Sequence, residues 1–143
     1  MATCADCGAS YAESSDDCQR RFHALLALDH SRREPWGSRH ALAFATFVLQ
    51  HAGRYERQVL EAAWALLVSV YVQGRSLPSV IIGMRKAEGR VSEWAVPSLP
   101  PGAPAPRFIT TIADLGSFAA DRYPEQLDDW CRATLTTWQA GPA

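Results

Sequence analysis

The sequence lacks a surplus of charge of either sign. Fourteen Lys and Arg against fifteen Asp and Glu leave a formal net charge of −1 over 143 residues. That balance excludes a charged, disordered tail, and it disfavours a nucleic-acid binder, whose affinity rests on neutralising phosphates with clustered cations. The basic pairs Arg20–Arg21 and Arg32–Arg33 are each flanked by acidic residues. Missing as well is any long apolar run: the longest, Ala62 to Val72 interrupted by Ser69, has eleven residues, whereas a membrane span needs roughly 20. The opening residues, Met1-Ala-Thr-Cys-Ala-Asp-Cys7, carry neither the basic stretch nor the apolar core of a signal peptide. The expectation is a cytoplasmic protein with no membrane and no nucleic-acid partner. No phosphate loop, serine-nucleophile elbow, dinucleotide fingerprint, His-Glu-x-x-His or internal repeat occurs.

What is present is helical periodicity over a length that suits one domain, residues 1–143. A first helix starts near Asp16, which can cap it with Gln19 reaching back, and its apolar stripe is Cys18, Phe22, Leu25, Leu26 and Asp29. Pro35 and Gly37 break the chain before a second helix, about Ser38 to Gln50, with Leu42, Phe44, Phe47 and Val48 for the core and Gly53 as its stop. A third, about Tyr55 to Gln73, is apolar over most of its circumference and so reads as central. A short fourth follows Pro78, with Val80, Ile81 and Met84 apolar and Gly89 as its stop. Residues 91–107 carry five prolines and read as a loop wrapped on the body. Phe108 to Leu115 is the one β-like stretch, balanced between a short extended segment and a helix start. A last helix from Pro124 buries Leu127, Trp130, Cys131, Leu135 and Trp138. The fold class expected is mainly α: a compact bundle of about five helices with an N-terminal knuckle over residues 1–18.

Cys4-Ala-Asp-Cys7-Gly8 is the sharpest local signal. Two thiolates two residues apart can reach one tetrahedral ion, and glycine permits the tight turn behind them. A redox pair would open a helix after a strand, and neither neighbour is evident. Zinc is therefore the expected cofactor, with redox-active or free thiols as the alternative. Cys18, in the first turn of helix one, is the natural third ligand; Cys131, on an apolar stripe, reads as a core residue. If helices one and two form an antiparallel hairpin, the end of helix two returns to the start of helix one, which brings His51 beside Cys18. His40 lies eleven residues earlier on the same face, roughly 16 Å away, too far to share an ion. The candidate metal set is Cys4, Cys7, Cys18 and His51, and the plainer reading of His51 is a helix-end imidazole facing the carbonyl dipole.

The far end of the same hairpin gathers Asp29, His30 and His40. A carboxylate holding an imidazole is what general acid–base chemistry requires, so Asp29 and His40 are the candidate catalytic pair, under a roof of Trp36 and the proline-rich loop. The plainer reading is that they satisfy each other at a helix corner. Arg54 and Arg57, just past His51, could bind an anion or could simply form a solvated face.

Taken together, Cys4-x-x-Cys7-Gly8, Cys18, Phe22-His23-x-Leu25-Leu26-x-Leu28-Asp29, His40, Leu49-Gln50-His51, and Thr111-Ile112-x-Asp114-Leu115 with Trp130 and Trp138 resemble a family of small bacterial proteins of unknown function. Members usually follow Gln-His with proline; Ala52 stands there in this chain, leaving the helix end less sharply fixed. The resemblance implies that the Cys and His positions form a zinc site and implies no activity. Two functional readings stand: a zinc-stapled binding or accessory protein for a small molecule or protein partner, with a homodimer through helix three open; or a small enzyme of a bacterial specialised pathway using Asp29 and His40.

Overall fold

The structure, a computed structural model, describes residues 2–13, 17–86, 96–102 and 107–141. Five α-helices dominate it: α1 (Cys18–His30), α2 (His40–Gln50), α3 (Arg57–Tyr71), α4 (Leu77–Lys86) and α5 (Tyr123–Ala140). A two-stranded antiparallel ribbon precedes them, β1 (Ala2–Thr3) against β2 (Ser10–Tyr11), with Ala2 opposite Tyr11. The class is the mainly α bundle expected, and no described helix is long and apolar enough to cross a membrane.

The N-cap of α1 is Asp17, whose carboxylate accepts the Arg20 N–H at 2.8 Å. Asp16, the expected cap, lies outside the described residues. The expected return of Gln19 to that cap therefore also lies outside the described residues; the Gln19 side chain meets His23 Nε2 at 3.0 Å. The buried stripe of α1 is Cys18, Phe22, Leu25 and Asp29. A 3-10 turn, Gly37–Arg39, leads into α2. Gly37 suits that turn, because a Cβ would lie 3.1 Å from the Arg32 backbone, a tight contact that the chain there would have to yield to.

The most enclosed helix is α2 rather than α3. Leu42, Ala43 and every residue from Ala45 to Gln50 are buried, between α3 on one side and α5 on the other. Ala41, Ala43 and Ala45 keep the helix thin enough for that close approach. In α3 burial is confined to Ala63–Ser69. Phe44, expected in the core, is 39% exposed and instead faces outward between Phe22 and Tyr55. The helix also stops earlier than Gly53: His51 ends it, and a 3-10 turn, Ala52–Arg54, follows.

Residues 108–115 hold no strand. Thr111 and Asp114 form a capping box in which Asp114 accepts the Thr111 N–H at 2.8 Å, opening a 3-10 turn, Ile112–Leu115. That local bond outcompetes an extended edge strand with nothing beside it to pair with. In α5, Trp130, Cys131, Leu135 and Trp138 are buried as expected, and Trp138 Nε1 donates to the Leu49 carbonyl at 2.8 Å, locking α5 to the end of α2. The described part of the proline-rich loop lies on α3: Trp64 Nε1 donates to Pro97 O at 2.9 Å, and Leu99 is buried. Gly89, Trp94 and the remainder of that loop fall outside the described residues.

Candidate metal centre

The β1–β2 connection is a knuckle. The Cys4 N–H donates to Ala9 O at 2.8 Å and the Gly8 N–H to Cys4 O at 3.0 Å. Gly8 takes φ 85°, a left-handed conformation that costs a side-chain-bearing residue about 1 kcal/mol or more. This turn directs Cys4 and Cys7 toward the first turn of α1, where Cys18 waits. From the other side α2 delivers His51, so α1 and α2 run antiparallel as the sequence argument required, and one donor atom from each of Cys4, Cys7, Cys18 and His51 lies within 4.8 Å of all the others.

The dimensions are those of a coordination shell. Cys7 Sγ and Cys18 Sγ are 3.5 Å apart, and a tetrahedron with metal–sulfur bonds of roughly 2.3 Å has edges of roughly 3.8 Å. His51 is fully buried, stacked on the Phe47 ring at 4.0 Å, with Nδ1 2.8 Å from the Phe47 carbonyl. That carbonyl, in the last turn of α2, has no helical N–H to accept from, so the imidazole caps it. A neutral ring donating from Nδ1 carries its lone pair on Nε2, and Nε2 is buried with no hydrogen-bond partner among the described residues. An orphaned buried acceptor beside three sulfurs fits a metal ion, whose ligating histidines characteristically donate their other nitrogen to a carbonyl.

The thiols of Cys7 and Cys18 are shifted in opposite directions. The Cys7 thiol donates to Cys18 and pulls its pKa down to about 4, the Tyr11 hydroxyl adds to this, and burial opposes. Cys7 moves up, first because that shared hydrogen bond favours its protonated form. Tyr11, on β2, places its hydroxyl 3.0 Å from Cys18 Sγ. Tyr11 and Phe47 are the two members of the site that sequence reasoning missed: a ring four residues beyond the knuckle gives no signal until β1 pairs with β2, and a backbone carbonyl leaves no trace in residue type.

Further ties fix the knuckle. Arg54 Nη2 reaches Asp6 at 3.0 Å, and the Phe108 N–H donates to Cys7 O at 3.1 Å. Arg57 pairs with Glu61 at 3.2 Å, so both arginines considered for an anion already face a carboxylate. A cavity of about 220 Å³ opens beside Cys4 and Cys18. Cys131 stands outside the cluster, in the core 3.0 Å from Thr46 Oγ1, where burial pushes its thiol up to about 12.

At the other end of the α1–α2 pair, His40 Nδ1 lies 2.9 Å from Asp29 Oδ2. The Asp29 side chain is fully buried and that of His40 is 41% exposed. Burial raises the Asp29 pKa against the opposing pull of His40. The His30 ring sits 5.9 Å from that of His40. Asp29 Oδ1 and the nearby Tyr123 hydroxyl have no hydrogen-bond partner among the described residues. Trp36 is turned to the Phe118 carbonyl, 2.9 Å from its Nε1. The pair borders neither the cavity beside Cys4 nor the groove between α4 and the start of α2.

All of these residues fall within one family match: the family of unknown function DUF5946 covers residues 2–139. The chain belongs to DUF5946. Coverage of nearly the whole chain agrees with the resemblance drawn from the knuckle and the Gln50-His51 ending. No curated protein and no solved structure matches this DUF5946 chain. DUF5946 membership therefore brings kinship without an activity, and the chemistry rests on the geometry alone.

Proposed function

We propose that this DUF5946 protein binds one zinc ion through Cys4, Cys7, Cys18 and His51, and that the ion is structural, in a cytoplasmic binding or accessory protein. The observation that carries this reading is His51 Nε2, buried, unpartnered and gathered with three sulfurs within 4.8 Å. Three thiolates and an imidazole suit zinc's preference for sulfur and nitrogen in a tetrahedron, and four protein ligands leave no position for a catalytic water. Bound there, zinc supplies a doubly charged cross-link between the ribbon, α1 and α2. Four unpaired cysteines fit a reducing compartment.

The deciding experiment is metal analysis of protein purified without added metal, with thiol titration before and after unfolding. One zinc per chain and Cys131 as the sole thiol outside the metal set, reactive only on unfolding, support the proposal. Metal-free protein with four titratable thiols overturns it.

A second reading, an enzyme using Asp29 and His40, is favoured by one observation: a buried carboxylate orients a half-exposed imidazole, leaving Nε2 of that ring for a substrate proton. Once an activity is in hand, His40→Gln should abolish it without unfolding the chain; a stable and fully active variant removes this reading.

A further inference from the structure

The α4 helix is poorly covered. Val80 is its one fully buried residue, Ile82 is 53% exposed, and among the described elements the helix packs chiefly on α3. Between α4 and the start of α2 runs an open groove of about 520 Å³. Its walls are Leu42 of α2 and Leu77, Pro78, Ile81 and Ile82 of α4. The remaining described lining residues are Ser38, Arg39 and Arg85, so among the described residues each charge on the lining is a guanidinium.

We propose that this groove binds a medium-length alkyl carboxylate, its chain laid on the apolar side chains of α4 and its carboxylate held by Arg39 and Arg85. The size selects a small molecule: small-molecule sites commonly measure about 300–1,000 Å³, whereas a protein partner is recognised over a broad, flat surface. Leu77 to Arg85 covers eight residue steps of helix, roughly 12 Å, which sets the length of chain accommodated. The head group follows from the donors. Nη1 of Arg39 is committed, 2.9 Å from the Pro35 carbonyl and 3.5 Å from Glu34, which fixes the plane of the guanidinium. Its Nε–Nη2 edge is the planar fork that takes a carboxylate's two oxygens. Ser38 already donates to Glu34 at 2.6 Å, so the set falls short of the extra donors that a phosphate would call for. A cationic amphiphile would meet the Arg85 guanidinium and a second, Arg39, whose charge Glu34 already offsets in part.

The experiment is calorimetric titration of the intact chain with decanoate, with decylamine, decanol and acetate in parallel. Saturation by decanoate at one per chain, about tenfold or more tighter than decylamine, is expected, with acetate too weak to register. Arg85→Gln, at an exposed helix end, should weaken decanoate about tenfold while leaving decanol unchanged. Ile81→Asp should abolish binding of both chains. Equal affinity for decanoate and decylamine, indifference to Arg85→Gln, or no saturation below the millimolar range each overturns the proposal. So does sedimentation showing that a second copy of the chain occupies the groove and that decanoate does not displace it.

Discussion

The antiparallel α1–α2 pair carries a histidine at each end of α2, and the two are treated in opposite ways. His51 is sealed from water, its ring stacked on Phe47, with one nitrogen on a carbonyl and the other left among sulfurs. His40 has its ring half in solvent, and its partner Asp29 is the buried member. At the first end the imidazole bears the cost of desolvation, and a metal ion held with the three sulfurs could offset it. At the second the carboxylate bears that cost. Residue type is the same at both ends; which partner is buried decides between a coordination site and a pair poised at the surface.

The largest effect expected from breaking this contrast comes from removing the metal. Structural zinc contributes about 10–16 kcal/mol in small zinc-dependent folds, against a net domain stability of about 5–15 kcal/mol. A strong chelator should therefore collapse the helical circular dichroism, and re-added zinc should restore it. Unchanged melting after full metal removal would make the two ends equivalent. Next, His51→Ala should cost more than about 3 kcal/mol, since it removes a ligand and opens a cavity in the core. His40→Gln, at a half-exposed position, should cost about 1 kcal/mol or less. Urea denaturation of both variants measures the gap directly.

Tyr11→Phe should cost about 1 kcal/mol, the hydroxyl's bond to Cys18, and leave zinc stoichiometry intact. Loss of the metal in that variant would promote the hydroxyl from support to necessity. The smallest effect concerns Asp29. Burial holds its folded-state pKa above the ordinary 3.8, so the folded chain binds that proton more readily than the unfolded chain does. The buried charge weighs on the fold fully above the raised pKa, and that weight lifts as pH falls toward 3.8. Asp29→Asn removes the charge altogether. Its stability relative to the native chain should be greatest near neutrality and should shrink on acidification, as read from denaturation midpoints over that range.

Much of this arrangement was legible in the sequence, because it depends on spacing. Cys4 and Cys7 with Gly8 are local, Cys18 is one helical stripe, and His51 follows from helix length and an antiparallel return. The same geometry separated His40 from His51 and put it beside Asp29. What spacing did not carry was competition among neighbours. Phe44 sits on a helix face that periodicity assigns to the core, but the alanines beside it bring α3 and α5 close and leave that ring outside. The β-like Phe108–Leu115 stretch yielded to one carboxylate, Asp114, bonding back to Thr111. The ribbon that shapes the knuckle consists of two residues per strand, too short for any alternation to show, and Tyr11 was hidden with it.

The four clustered residues also differ in when they come into being. Cys4, Cys7 and Cys18 are made within 18 − 4 = 14 residues of one another, and His51 follows 51 − 18 = 33 residues later. At about 5–20 residues per second, the nascent chain spends roughly 2–7 seconds with the thiols made and the imidazole not yet synthesised. To meet one another the sulfurs need only the ribbon and one helical turn, while closure by His51 awaits the whole of α2. Translation speed between codons 18 and 51 thus sets how long three neighbouring thiols stand without their fourth companion.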